Sequence, residues 1–312
     1  MTPEIQTLIT QVEMLATLLV LGFFAQRVRL IKEATIDHLA SLLTGIVLPC
    51  MLLNLIGGSG GRQGLFQLLP FFCFAAVMCA IGVGGAYLLS RFLGFDGPMR
   101  RVNVLVASFG NSGFLGVPIV SVMFPQLAGI YGGAYLMAES TMYWVFGPLI
   151  ADCTDGPKKI SFRRLLTPLT LSIVIGVIIL LLDLPVNGLV FWDTIGGVGS
   201  CAKYLAALYI GLDLGRKGLK RMFSSWKLLV SCGFKLILLP LLGYVLFGKT
   251  GVIKGGALSI FVFLLSTPTG MAVPILAREG HGNDTYATAG TMLCTILSLI
   301  TMPLVMYLTT KI

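Results

Sequence analysis

Residues 107–118 read Ala107-Ser108-Phe109-Gly110-Asn111-Ser112-Gly113-Phe114-Leu115-Gly116-Val117-Pro118. Residues 265–274 read Leu265-Ser266-Thr267-Pro268-Thr269-Gly270-Met271-Ala272-Val273-Pro274. Both stretches sit inside long apolar runs, yet both put glycine, proline and small hydroxyl or amide side chains at mid-run. Proline removes a backbone donor and clashes with the preceding turn, and glycine lowers the cost of irregular backbone. Each run is therefore expected to be a broken helix, its second half beginning near Gly116–Pro118 or near Ala272–Pro274. In lipid, such unwinding is tolerated only where protein or a watery cavity satisfies the freed groups. The expected arrangement is two broken helices crossing at the middle of a bilayer.

The surrounding chain supports a bilayer. Of its 312 residues, 56% are apolar and 11% charged, with a mean hydropathy of +0.93. Soluble domains carry about 25% charged residues, so a soluble enzyme, a nucleic-acid binder and a disordered tail are excluded. Ten spans can be placed: Leu8–Gln26, Ile36–Ile56, Leu65–Leu93, Val102–Phe124, Ala128–Ala151, Leu166–Leu184, Ile195–Leu214, Ser225–Phe247, Gly251–Ala277 and Asp284–Thr309. Each approximates the roughly 20 residues that a hydrocarbon core requires. With Glu4 and Glu13 where a basic leader would sit, the first span is expected to be a span and not a cleavable signal.

Basic residues set the orientation. Sixteen of the 22 Lys and Arg fall in alternate connections, among them Arg27, Arg29 and Lys32, then Lys158, Lys159, Arg163 and Arg164, then Arg216, Lys217, Lys220 and Arg221. The opposite side holds Arg62, Lys249, Lys254 and Lys311. By the positive-inside rule the rich side is cytoplasmic and both termini lie outside the cytoplasmic membrane. The same bias accounts for the net charge of +9 through anionic lipid heads, with no nucleic-acid partner. The seven cysteines read as small apolar filler and have no metal or redox spacing.

Val117-Pro118-Ile119 overlies Val273-Pro274-Ile275 at an offset of half the chain. The same shift carries the first span onto the sixth, the second onto the seventh and Pro148 near Pro303. Residues 1–152 and 166–312 are thus expected to be five-helix repeats joined by a cytoplasmic connector, 153–165. Five is odd, so the repeats insert in opposite senses, a construction used by many secondary transporters. The fold class is all-α integral membrane, with ten helices in two inverted repeats and helices four and nine crossed.

A half-helix N-terminus carries partial positive charge and unpaired N–H groups, and it attracts a carboxylate. Asn111, Ser112, Gly113, Thr267, Pro268, Thr269 and Gly270 flank the two breaks as candidate binding residues. Two ionisable side chains inside spans add to the set. Lys235 is a candidate partner for a substrate carboxylate or for a structural acid. Glu139 is a candidate proton-titrating group or a hydrogen-bonded structural acid. Lys203 and Glu13 lie nearer the outer surface, where long side chains snorkel, and Asp213 is expected to be solvated at its helix end.

At these residues the sequence resembles the auxin efflux carrier family, which includes bacterial malate and malonate permeases. The matching stretches are Leu48-Pro49, Asn111 to Pro118, Lys235-Leu236 to Pro240, Pro268, Leu276-Ala277 and Ser298-Leu299-Ile300-Thr301-Met302-Pro303. The resemblance implies a ten-helix secondary active transporter of a small organic anion, a malate-like, malonate-like or auxin-like mono- or dicarboxylate. It implies an elevator-like motion and a homodimer built through the first, second, sixth and seventh helices. By position, Asn111 is the family's fourth-span asparagine, Pro118 and Pro274 are the crossover prolines, and Pro49 braces the crossover.

The expected activity is not enzymatic, and no metal or cofactor is called for beyond a coupling ion, H+ or Na+. An ATP-driven pump would need a Walker A motif, which is lacking. A zinc intramembrane enzyme would need clustered histidines, and only His38 and His281 exist. Ser112 leaves a serine-based intramembrane enzyme as an alternative, and a facilitative channel is another.

Overall fold

The computed structural model describes residues 3–59, 63–154, 163, 166–186, 188–217 and 225–311. Arg62, Lys158, Lys159, Arg164, Lys220, Arg221 and most of the 153–165 connector lie outside the described residues. Among those described, every named element is helical, and a single isolated antiparallel bridge joins Gly110 to Thr269.

In chain order the helical segments are α1 (Pro3–Arg27), α2 (Glu33–Gly57), α3 (Gln63–Phe92), α4 (Gly97–Ser108) and α5 (Ser112–Met123). They continue with α6 (128–151), α7 (Pro168–Leu182), α8 (Val190–Lys217) and α9 (Trp226–Gly248). The last three are α10 (Gly255–Leu265), α11 (Val273–Glu279) and α12 (Asp284–Lys311). Six of them, α1, α2, α3, α8, α9 and α12, contain apolar stretches of 19 to 28 residues, long enough to cross a membrane. With 12 and 11 residues, α5 and α10 are too short to cross alone, and each adjoins its neighbour across a break at the two stretches quoted first.

Prolines shape these helices in a recurring way. Wide π-helical turns cover Leu43–Val47, Ser112–Gly116, Met142–Phe146 and Phe234–Leu238. Each is followed, at the second residue of the α-helix that resumes, by Pro49, Pro118, Pro148 or Pro240. A proline ring crowds the carbonyl one turn back and leaves it without a donor, and widening that turn relieves both problems without ending the helix.

The chain divides into two compact units, each drawing on segments from both halves of the sequence. The first comprises Met1–Phe72, Gly113–Met137 and Leu166–Leu219. Its α1 and α8 lie so close that a Cβ on Gly22 would come within 2.5 Å of the Leu208 carbonyl. At the far end of α8, Asp213 corrects an expectation: it is buried, 2% exposed, and not solvated. Its carboxylate takes Arg216 and Lys217 at 2.6 Å each, and Arg216 reaches Asp37 at 2.7 Å. The i+3 and i+4 spacing on α8 brings both cations onto the acid's face, and a buried charge persists only when paired in this way.

The second unit comprises Cys73–Ser112, Ala138–Leu165 and Lys220–Ile312. Its innermost helix is α10, with Ile260 through Leu265 all buried. Asn103 on α4 is wholly buried, yet it donates to Ser90 Oγ at 2.8 Å and accepts from the Tyr286 hydroxyl at 2.7 Å. This chain of polar contacts ties α3, α4 and α12 together at fixed register.

Candidate functional site

Both breaks lie in the second unit, and they satisfy one another. The α4 helix ends where Phe109 turns extended, at φ −89° and ψ 128°. Gly110 then pairs antiparallel with Thr269. The Asn111 N–H donates to the Pro268 carbonyl at 2.7 Å, and the Gly270 N–H donates to the Phe109 carbonyl at 3.1 Å. Thr269 Oγ1 donates to the Val106 carbonyl in the last turn of α4, at 2.7 Å. Two strand-like residues from each segment thus replace the helical bonds that glycine and proline disrupted. This is how irregular backbone survives where water does not reach.

Charged groups close on Gly110 from two other helices. Glu139, on α6 and 5% exposed, accepts the Gly110 N–H at Oε1 across 3.1 Å. Ser112, the first residue of α5, presents its own N–H and hydroxyl to the same carboxylate and shares a 3.3 Å contact with Thr267 Oγ1. The half-helix start therefore already faces a carboxyl group, and that group belongs to the protein. Lys235 sits on the π-helical turn of α9, 1% exposed, and its Nζ donates to the Leu265 carbonyl at 2.9 Å. Leu265 ends α10, so the ammonium meets the negative pole of a half-helix. Lys235 thus anchors on backbone while lying beside the acid Glu139, both groups closing on Gly110.

Gly110 is the residue these groups require. A Cβ there would fall 2.6 Å from Thr267 Oγ1, 2.7 Å from Glu139 Oε1 and 3.3 Å from Lys235 Nζ. No other residue type admits three polar groups at that range.

Two buried donors at this centre have no partner among the described residues: Nδ2 of Asn111 and the hydroxyl of Tyr143. Asn111 is 3% exposed, so its amide is shut away from bulk solvent with its main-chain N–H satisfied and its side chain not. Tyr143 stacks edge-on against Phe109, with ring centroids 5.1 Å apart. Unpaired buried donors are rare and costly, and each calls for an explanation such as an absent ligand.

Of the residues singled out from sequence, Asn111, Ser112, Thr267, Pro268, Thr269, Gly270, Lys235 and Glu139 come together here. Pro274, also in this unit, opens the seven-residue α11. Gly113, Pro118 and Pro49 belong to the first unit, where Gly113 lies on the π-helical turn of α5 and Pro118 and Pro49 follow such turns. Sequence reasoning passed over Gly110 and Tyr143. Tyr143 lies four residues beyond Glu139, on one helix face, and that spacing is the signal that could have found it.

The membrane transport protein family matches residues 7–151 and 157–306, nearly the whole chain. An uncharacterized transporter of Methanothermobacter thermautotrophicus is 24% identical over 294 residues, covering 92% of this chain and 93% of that protein. With the two breaks, the buried asparagine and a match of this extent in hand, the chain belongs to the auxin efflux carrier family of membrane transport proteins.

Proposed function

We propose that this membrane transport protein is a secondary active transporter of a small mono- or dicarboxylate across the cytoplasmic membrane, working by elevator-type alternating access. The observation that carries the reading is the Asn111 amide, buried at the meeting of two helix breaks with Nδ2 donating to no described residue. A carboxylate oxygen is the acceptor that such a donor, next to a half-helix N-terminus, is built to take. Asn111, Ser112, Gly113, Thr267, Pro268, Thr269 and Gly270 form the binding segment in this reading, with Pro118 and Pro274 fixing the half-helices, Pro49 as support and Lys235 as the local positive charge. The wider frame is ten spans in two inverted five-helix repeats, 1–152 and 166–312, joined by the 153–165 connector. Both termini face outward, and the working form is a homodimer.

Coupling to protons follows from Glu139. While ionised, it holds the Gly110 and Ser112 donors for itself. Protonation removes its charge and weakens that hold, and the released N–H groups then face the incoming carboxylate beside Asn111. One proton and one negative charge thereby bind together, which is symport by thermodynamic linkage. The carbonyl that ends α10 is already taken by Lys235, which favours proton coupling through Glu139 over sodium coupling in this reading. An intramembrane enzyme or a facilitative channel has no observation of its own in its favour.

The test is uptake of labelled carboxylates into proteoliposomes, with pH and sodium gradients imposed separately. An acidic exterior should drive accumulation of at least one carboxylate, and a sodium gradient at constant pH should not. Failure of every carboxylate tested to cross would overturn the reading.

A further inference from the structure

The first unit contains a cleft of ≈ 200 Å³ lined by Met51, Asn54, Pro118, Ser121, Ser200 and Lys203, among others. It is built from α2, α5 and α8, all within residues of that unit. Small residues create the space. At Gly196 a Cβ would come within 3.1 Å of Asn54 Nδ2, and at Gly199 within 2.6 Å of the Met51 Cα, so any side chain there would fill the wall or push α2 away.

The chemistry of the cleft is cationic. Lys203 is half-buried, and among the described residues it donates no hydrogen bond and has no ion-pair partner, neither Glu13 nor Asp193 included. Its Nζ lies over the Tyr204 ring, 4.8 Å from the centroid. The Asn54 amide likewise donates to no described residue, whereas the Ser121 and Ser200 hydroxyls spend their protons on the Pro118 and Gly197 carbonyls. A lysine in an apolar span costs several kcal/mol unless paired. Snorkelling relieves that only if the head reaches lipid phosphate or water. A cleft offering an ammonium and a side-chain amide, with no acid in its wall, is a receptor for an anion.

We infer that this cleft is a second anion site, built on Lys203 and Asn54, that takes a small carboxylate independently of Asn111. The choice of a carboxylate over a lipid phosphate rests on the transport reading above. The volume fits a molecule of a few heavy atoms, and no long apolar groove for an acyl chain accompanies it among the lining residues. The two sites share no lining residue that donates: Asn111 and Tyr143 serve one, Lys203 and Asn54 the other.

The test is equilibrium binding of radiolabelled malonate to the full chain in nanodiscs of neutral phosphatidylcholine, which separates binding from transport. Asn111→Ala protein should retain weak saturable binding. Adding Lys203→Met should weaken that binding roughly tenfold or more, as loss of one charge-assisted contact does, and Lys203→Arg should retain it. Identical binding by Asn111→Ala with and without Lys203→Met would overturn the site. So would a Lys203→Met protein that binds malonate normally but loses co-purified phosphatidylglycerol, which would assign the cation to lipid. Failure of the transport reading shows elsewhere, as absent carboxylate uptake by the unaltered protein, and leaves this binding measurement intact.

Discussion

The backbone N–H of Gly110 donates to Oε1 of Glu139 across 3.1 Å, so an acid on one helix holds the break of another. A carboxylate buried in a bilayer-spanning protein is stable only with such partners. Glu139 has three, all from the segment Gly110–Ser112. The bond makes the conformation of the break depend on the charge of a single side chain.

Replacing that side chain with an isosteric amide separates geometry from charge. In Glu139→Gln the amide oxygen still accepts the Gly110 N–H, and the protein should purify and melt much as before. Uphill accumulation driven by an acid exterior should vanish, while exchange of labelled for unlabelled carboxylate at equal pH persists. Paired measurements of gradient-driven uptake and equilibrium exchange in the same proteoliposomes check this.

Gly110→Ala adds one methyl group where three polar atoms already converge. Overpacking of this kind costs about 1–3 kcal/mol, and it also separates Glu139 from the N–H it accepts. Transport should fall to background while thermal stability drops only moderately. Ala at Gly45, where a Cβ meets nothing within 4 Å, should be silent in both measurements.

Lys235→Met strips the donor from the Leu265 carbonyl and leaves that buried acceptor bare, at a cost of about 1–3 kcal/mol. It also removes the positive charge beside Glu139. Neutralising the acid as well, in Lys235→Met/Glu139→Gln, should destabilise by less than the two single changes together, with a coupling of about 0.5–3 kcal/mol. Chemical-denaturation midpoints of the four proteins close the cycle.

Asp213→Asn tests the first unit alone. Asp213 holds Arg216 and Lys217 at 2.6 Å from a buried position. The amide keeps the shape but leaves Lys217 without its counter-charge and Arg216 with Asp37 alone. A loss of about 1–3 kcal/mol is expected, read as a lower melting temperature, with carboxylate selectivity unchanged.

Much of this was legible in the residues. The apolar runs, the glycine and proline at 107–118 and 265–274, and the buried Glu139 and Lys235 were all visible as pattern. Composition and periodicity respond directly to the bilayer and to backbone sterics. The partners were not visible. Nothing in the spacing says that Pro268 lends its carbonyl to Asn111, or that Lys235 caps Leu265, because those bonds join segments 157 and 30 residues apart in sequence. Asp213 was misjudged for a related reason. Its position at a helix end suggested water, whereas Asp37, far away in sequence, closes over Arg216 on the same face.

The central claim is that the Asn111 amide receives the cargo's carboxylate. Concentration-dependent uptake of labelled malonate and related carboxylates should be compared between the unaltered protein and Asn111→Ala, reconstituted at equal density and shown to be equally folded. Loss of saturable uptake in Asn111→Ala, down to the level of empty liposomes, is the predicted result. Unchanged affinity and maximal rate in that variant would contradict the account.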